Sequence, residues 1–241
     1  MNRTRPLVAA LLLACLGSTA QAHQLWIENE AGRAHLYFGE YDSNLRETSP
    51  GRLDEFIGVP AMEQSANGRT EAVTGGQLTP AYFTYAVSGD TETLFADGNH
   101  PPLDRTRQNL PPLGWHLAAR WVANPLQAVD ARHTALDLVP TGKAGELRAV
   151  YQGAPLPEAT VTLLSPSGWS RERRTGEDGT VQFDLPWKGE YVAIVKNLDK
   201  NAGERQGGKY SEINYVTTLT FVQPTGTQSP PPLPVHNSRK R

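Results

Sequence analysis

Apolar and polar residues alternate along this chain in short runs whose period near two marks β-strands rather than helices. The clearest runs are residues 24–28, 33–38, 81–87 and 115–122, and no window carries the 3.6-residue period and caps of an amphipathic helix. Residues 46–79 keep neither period and are read as a long loop with one short helix near 53–57. From about residue 135 the runs become regular, at 146–151, 160–164, 180–185, 191–196 and 215–222. Turn-rich segments such as Gly176-Glu177-Asp178-Gly179 and Pro186-Trp187-Lys188-Gly189 separate them. That spacing predicts an antiparallel sandwich of the immunoglobulin sort. The expected fold class is all-β: an N-terminal β-rich domain over 23–140, an immunoglobulin-like β-sandwich over 141–224 and a disordered proline-rich tail over 225–241.

The first 22 residues follow a different pattern. Arg3 and Arg5 precede an apolar stretch over 6–16, and small residues end in Ala20-Gln21-Ala22, the pattern read by signal peptidase. Cleavage after Ala22 predicts a periplasmic protein whose first residue is His23. The single cysteine, Cys15, lies in this segment, so a mature chain from His23 has no thiol for a disulfide, a metal or a nucleophile. No later stretch approaches the ~20 apolar residues of a membrane span, so an integral membrane protein is not expected. Removing Arg3 and Arg5 moves the formal net charge from −2 to −4, and setting aside Arg239, Lys240 and Arg241 leaves about −7. That balance argues against nucleic acid as a partner and fits a binder of cations.

The mature start is the sharpest chemical feature. An N-terminal histidine chelates through its α-amine and its imidazole, a six-membered ring that favours copper or nickel over magnesium or calcium. The other histidines, His35, His100, His116, His133 and His236, are scattered. In a hairpin of 24–28 with 33–38, His35 falls opposite Trp26 or Ile27, too far along the strand to share an ion with His23. His100 and His116 are the expected further donors, with a carboxylate such as Glu40 behind them. Elsewhere the chemistry is negative. Residues 203–209 approach a phosphate loop, but Tyr210 stands where Ser or Thr must hold magnesium, so a glycine-rich hairpin is expected there. Hydrolase motifs are lacking in the sequence, and the five tryptophans lie in or beside apolar strands, where packing explains them better than sugar stacking.

Three stretches resemble an uncharacterised family of secreted bacterial proteins often labelled a periplasmic component of nickel or cobalt uptake. They are His23-Gln24-Leu25-Trp26-Ile27-Glu28; then Phe38-Gly39-Glu40, Leu45-Arg46-Glu47 and Ser49-Pro50-Gly51-Arg52-Leu53-Asp54; and a C-terminal run. The last includes Leu136-Asp137-Leu138-Val139-Pro140, Ser165-Pro166-Ser167-Gly168-Trp169-Ser170, Leu185-Pro186-Trp187-Lys188-Gly189 and Tyr215-Val216-Thr217-Thr218-Leu219-Thr220. The resemblance implies a periplasmic location, a carboxypeptidase-regulatory-like C-terminal half and association with membrane metal-uptake components; only His23 carries over as a metal residue. The expected protein is not an enzyme and takes no organic cofactor. It binds or hands over a divalent transition metal (copper, nickel or cobalt) through His23, His100 and His116. The alternative is an adaptor sandwich that docks a membrane transport partner without binding metal.

Overall fold

A computed structural model describes residues 23–238 apart from Ala31, Thr74 and Arg132. The expected signal segment, residues 1–22, and the basic residues 239–241 lie outside the described residues. In chain order the first strands are β1 (Gln24–Glu30), β2 (Arg33–Glu40), β3 (Leu45–Arg46), β4 (Ala61–Ser65), β5 (Thr70–Val73), β6 (Gly75–Leu78), β7 (Phe83–Ala86), β8 (Thr91–Gly98) and β9 (Leu113–Val122). There follow β10 (Leu136–Pro140), β11 (Glu146–Tyr151), β12 (Ala154–Pro155), β13 (Thr160–Leu164), β14 (Ser170–Arg174), β15 (Thr180–Gln182) and β16 (Trp187–Asp199). The last are β17 (Gly203–Arg205), β18 (Gly208–Tyr210), β19 (Glu212–Gln223), β20 (Thr227–Gln228) and β21 (His236–Asn237). Two 3-10 turns, Arg52–Glu55 and Thr106–Gln108, complete the regular structure of the described residues. The all-β expectation holds. Among the described residues no helix is long and apolar enough to cross a membrane.

Apart from the separate two-stranded β17–β18 sheet, the strands form three stacked layers. A six-stranded N-terminal sheet holds β1, β2, β3, β6, β7 and β21; a nine-stranded central sheet runs β14-β13-β16-β19-β9-β8-β4-β5, with β20 against β16; and β10, β11, β12 and β15 make the third sheet. The inner strands of the central sheet, β16, β19 and β9, are buried on both faces and carry apolar residues at consecutive positions. On β16, Val192 and Ile194 enter a core shared with Leu25, Trp26 and Ile27 of β1. Tyr191, Ala193 and Val195 enter a second core with Leu136, Leu138 and Leu147 of the third sheet. The adjacent hydroxyls of β19 follow the same division: Thr218 donates to Leu25 O at 2.7 Å and Thr217 to Leu136 O at 2.7 Å.

This arrangement corrects the expected division at residue 140. β9 pairs in parallel with β19 from Leu113–Glu212 to Trp121–Thr220, so one sheet takes strands from both expected domains. Each half keeps a core of its own, but the wall between the cores is common to both. The expected loop over 46–79 contains the Arg52–Glu55 turn and also β4, β5 and β6, whose mostly half-exposed residues leave little apolar alternation to read. Gln206 and Gly207 form the expected hairpin turn between β17 and β18, both with positive φ, as a tight two-residue turn requires.

The tail is also corrected. Residues 225–238 are extended but docked: β20 pairs with Trp187 and Lys188, Leu233 N donates to Pro166 O at 2.8 Å, and β21 pairs in parallel with β3. Proline removes amide donors without removing carbonyl acceptors, so the remaining backbone groups still find partners on sheet edges.

A buried ion pair joins the central and third sheets. Arg120, with no exposed surface, donates from Nε to Asp137 Oδ1 at 3.0 Å and from Nη2 to Oδ2 at 2.5 Å. Its Nη1 reaches the Thr93 hydroxyl at 3.1 Å, and Asp137 also accepts from Leu138 N at 2.9 Å. Arg120 and Asp137 are both buried, so half a pair is worse than none. Arg120→Met is expected to cost about 3–5 kcal/mol in denaturant unfolding, and Arg120→Met with Asp137→Leu to recover most of it. A second link joins the N-terminal and central sheets. Tyr41 Oη donates to Glu190 Oε1 at 2.8 Å, and the Glu190 carboxyl is pushed up to about 7, first by burial and then by the charge of Glu28. The folded state thus holds this proton more tightly than the unfolded chain between pH 4.5 and about 7, and stability falls as pH rises through that window. Glu190→Gln should match the parent below pH 4.5 and exceed it above pH 7, by at most about 3 kcal/mol, in unfolding curves taken across that range.

Candidate metal site at His23

Three short stretches converge on His23. β1 pairs with β2 so that Gln24 lies opposite Gly39, which brings His23 beside Glu40. β3 then returns along the other edge of β2, with Leu45 opposite Glu40, and Glu47 N donates to Phe38 O at 2.8 Å. Gly39 makes the approach feasible: its φ is 150°, and a Cβ there would lie 2.0 Å from the Leu45 carbonyl oxygen.

The imidazole sits between two carboxylates. Nε2 is 2.6 Å from Glu47 Oε1, and Nδ1 is 3.3 Å from Glu40 Oε1. Glu47 is only 3% exposed. Its other oxygen accepts the Ser238 hydroxyl, and Arg52 Nη1 stands 3.8 Å from Oε1. An ionised carboxylate only accepts, so Nε2 carries the proton of that bond, and in a neutral ring the lone pair is on Nδ1, facing Glu40. Two donors about 2.1 Å from one ion lie about 3.0–3.4 Å apart in right-angled to tetrahedral arrangements, and the Nδ1 to Glu40 separation falls in that range. A carboxylate on the far nitrogen that fixes ring and tautomer is the usual support of a histidine ligand.

His100 is reached through side chains rather than directly. Arg52 Nε is 3.3 Å from Glu55 Oε1, and Glu55 Oε2 is 3.2 Å from His100 Nε2, so a chain of polar contacts runs from His23 through the charges of Glu47, Arg52 and Glu55 to His100. The Glu55 carboxyl lies below its ordinary range, chiefly through the hydrogen bond from His100, with the Arg52 charge adding to it against burial. Beneath the chain is an aromatic floor. The Arg52 guanidinium is 5.2 Å from the Phe38 ring centre and 6.0 Å from that of Trp115, while His100 packs edge-on to Trp115 at 5.0 Å and to Phe56 at 5.4 Å. Both His100 nitrogens are engaged, since Nδ1 lies 2.6 Å from Pro101 O.

The three expected histidines therefore do not converge. His100 meets Glu55, at the far end of the charge chain from His23. His116 points to the opposite face of the central sheet from its neighbours Trp115 and Leu117, as strand alternation demands. There its Nε2 meets Asp97 Oδ1 at 2.8 Å, its ring packs against Tyr215 at 5.2 Å, and Arg205 Nη2 holds the same Asp97 oxygen at 3.1 Å. His35 is opposite Glu28, not Trp26 or Ile27, because Glu30 pairs with Arg33; it stacks on Tyr82 at 4.3 Å. Of the expected further donors only Glu40 is brought to His23. Glu47, Arg52, Glu55 and Ser238 escaped the sequence reading of the site. For Glu47, Arg52 and Glu55 the one local sign was the acidic and basic residues of 40–55, which have no fixed spacing from His23, and Ser238 had none. Among the described residues no group of three or more His, Cys, Asp or Glu side chains is placed to hold a metal ion.

The His116 cluster has its own pH signature. Burial alone would raise the Asp97 carboxyl, but the hydrogen bond from His116 and the charges of His116 and Arg205 outweigh it and hold the carboxyl below its ordinary value. The stabilisation is present at neutral pH and disappears as pH falls through the folded-state value. Asp97→Asn is expected to lose about 1–2 kcal/mol at pH 7, and the difference from the parent should vanish in unfolding measured well below pH 4. Neither any family model nor any curated protein sequence matches this chain.

Proposed function

We propose that this protein, exported and cut after Ala22, binds a divalent transition metal through the α-amine and Nδ1 of His23 with Glu40 as a further donor. The observation that carries the reading is the pair of contacts on one imidazole: buried Glu47 takes Nε2, which leaves Nδ1 beside Glu40 Oε1 at 3.3 Å. Two nitrogens and one carboxylate are a donor set that favours copper(II), then nickel and cobalt, over magnesium or calcium. The acidic balance of the chain attracts cations. The reading is of a binding protein rather than an enzyme. Its resemblance to secreted components of nickel and cobalt uptake supports delivery to membrane metal-uptake partners as the use of the site.

The test is a metal titration of the protein that begins at His23. Copper(II) is expected to bind one per chain and more tightly than zinc, with affinity falling at lower pH as protons compete for amine and imidazole. Adding one alanine before His23 converts the amine to an amide and should weaken copper more than about tenfold without altering the unfolding curve. Glu47→Gln should weaken it by roughly 10–100-fold through the tautomer and ring orientation. Equal binding by the extended chain removes the amine from the site. If none of these proteins binds stoichiometrically, the adaptor reading replaces this one.

A further inference from the structure

We infer that the C-terminal segment is a working part of the His23 site, with Ser238 as a positioning residue that holds Glu47. The inference rests on the reading of His23 as a metal ligand. The segment crosses the molecule along a defined path. Asn44 Nδ2 donates to Leu233 O at 2.7 Å, His236 N to Asn44 O at 3.0 Å and Ser238 N to Arg46 O at 3.2 Å. The Leu233 side chain sits against Gly168, where an added Cβ would lie 2.8 Å from Leu233 Cδ1. At the end of this path the Ser238 hydroxyl donates to Glu47 Oε2, while Glu47 Oε1 faces His23 Nε2.

Glu47 therefore has its two oxygens divided between the segment and the imidazole. A buried carboxylate with an unfilled oxygen can rotate toward whichever donor remains, here Arg52. The hydroxyl of Ser238 fixes that rotation, and so fixes which oxygen His23 meets. β21 also covers the outer edge of β3, the strand that carries Leu45 against Glu40. The segment thus holds Glu47 directly and backs the strand that pairs with Glu40. Coupling of this kind is reciprocal: if the segment tightens metal binding, bound metal must tighten the segment.

Two measurements on the full chain from His23 test this, and the first needs no metal. In the metal-free protein the amides of His236 and Ser238 should exchange with solvent at least about tenfold more slowly than in Leu233→Asp, and Ser238→Ala or Glu47→Gln should speed the Ser238 amide. Free-chain exchange rates at these amides in the parent would overturn the inference whatever the protein binds. The second is copper(II) affinity by competition, with far-ultraviolet circular dichroism and unfolding curves as the check on folding. Ser238→Ala is expected to weaken copper about three- to tenfold, Ser238→Thr to restore it, and copper to slow the two amides further in the parent. If the parent binds copper but Ser238→Ala and Leu233→Asp bind it equally well, the segment is no part of the site and the metal reading stands alone. If the parent binds no copper, the metal reading fails together with this inference, and slow amides would then report a docked segment of structural role only.

Discussion

The parallel pairing of Leu113–Val122 with Glu212–Gln223 is the constraint on which the rest of the structure depends. It places strands distant in sequence side by side in one sheet, and that sheet then has two apolar faces to cover. The N-terminal sheet covers one and the third sheet the other. Neither outer sheet has such a wall of its own, so the cores stand or fall with the shared strands. Two adjacent hydroxyls in the wall, Thr217 and Thr218, bond to opposite layers. Arg120 and Asp137 extend the same logic to charge, since a bidentate pair with two further hydrogen bonds leaves little unmet at the interface.

The His23 site is a product of that layering. β1 lies on the central sheet with its buried face toward Trp115 and Leu117, which seats His23 at the end of the strand above Phe38. The charged side chains around it alternate in sign from Glu47 to Arg52 to Glu55, so each carboxylate has a cation against it. Arg52 stands over the Phe38 and Trp115 rings while doing so, a placement that suits a guanidinium. The imidazole is thereby turned so that one nitrogen is spoken for and the other is presented.

Much of the fold was legible because alternation and turn chemistry are local. The runs at 146–151, 160–164 and 191–196 are strands in the structure, and Gln206-Gly207 makes the hairpin. The parallel seam was not legible, since pairing between residues about a hundred positions apart leaves no mark in either segment. Its indirect sign was the double-faced hydrophobicity of Leu113–Val122, which a one-faced sandwich strand does not need. At the site, His23 and Glu40 were readable as donor types. His116 was expected as a further donor, although Trp115-His116-Leu117 must send the histidine away from its apolar neighbours. Glu47 and Ser238 were not readable, because they reach His23 through a short return strand and a proline-rich segment whose docking is decided by edges elsewhere in the fold.

Ser238 and Glu47 are 191 positions apart and meet at the residue that an export signal would release first. A chain that crosses a membrane N-terminus first therefore exposes His23 long before the segment that braces its carboxylate has arrived. Until then Glu47 lacks one of its donors and β3 has a bare edge. If the protein is exported as proposed, the site is completed only when translocation is, and an emerging chain holds Glu47 by fewer contacts than the finished protein does.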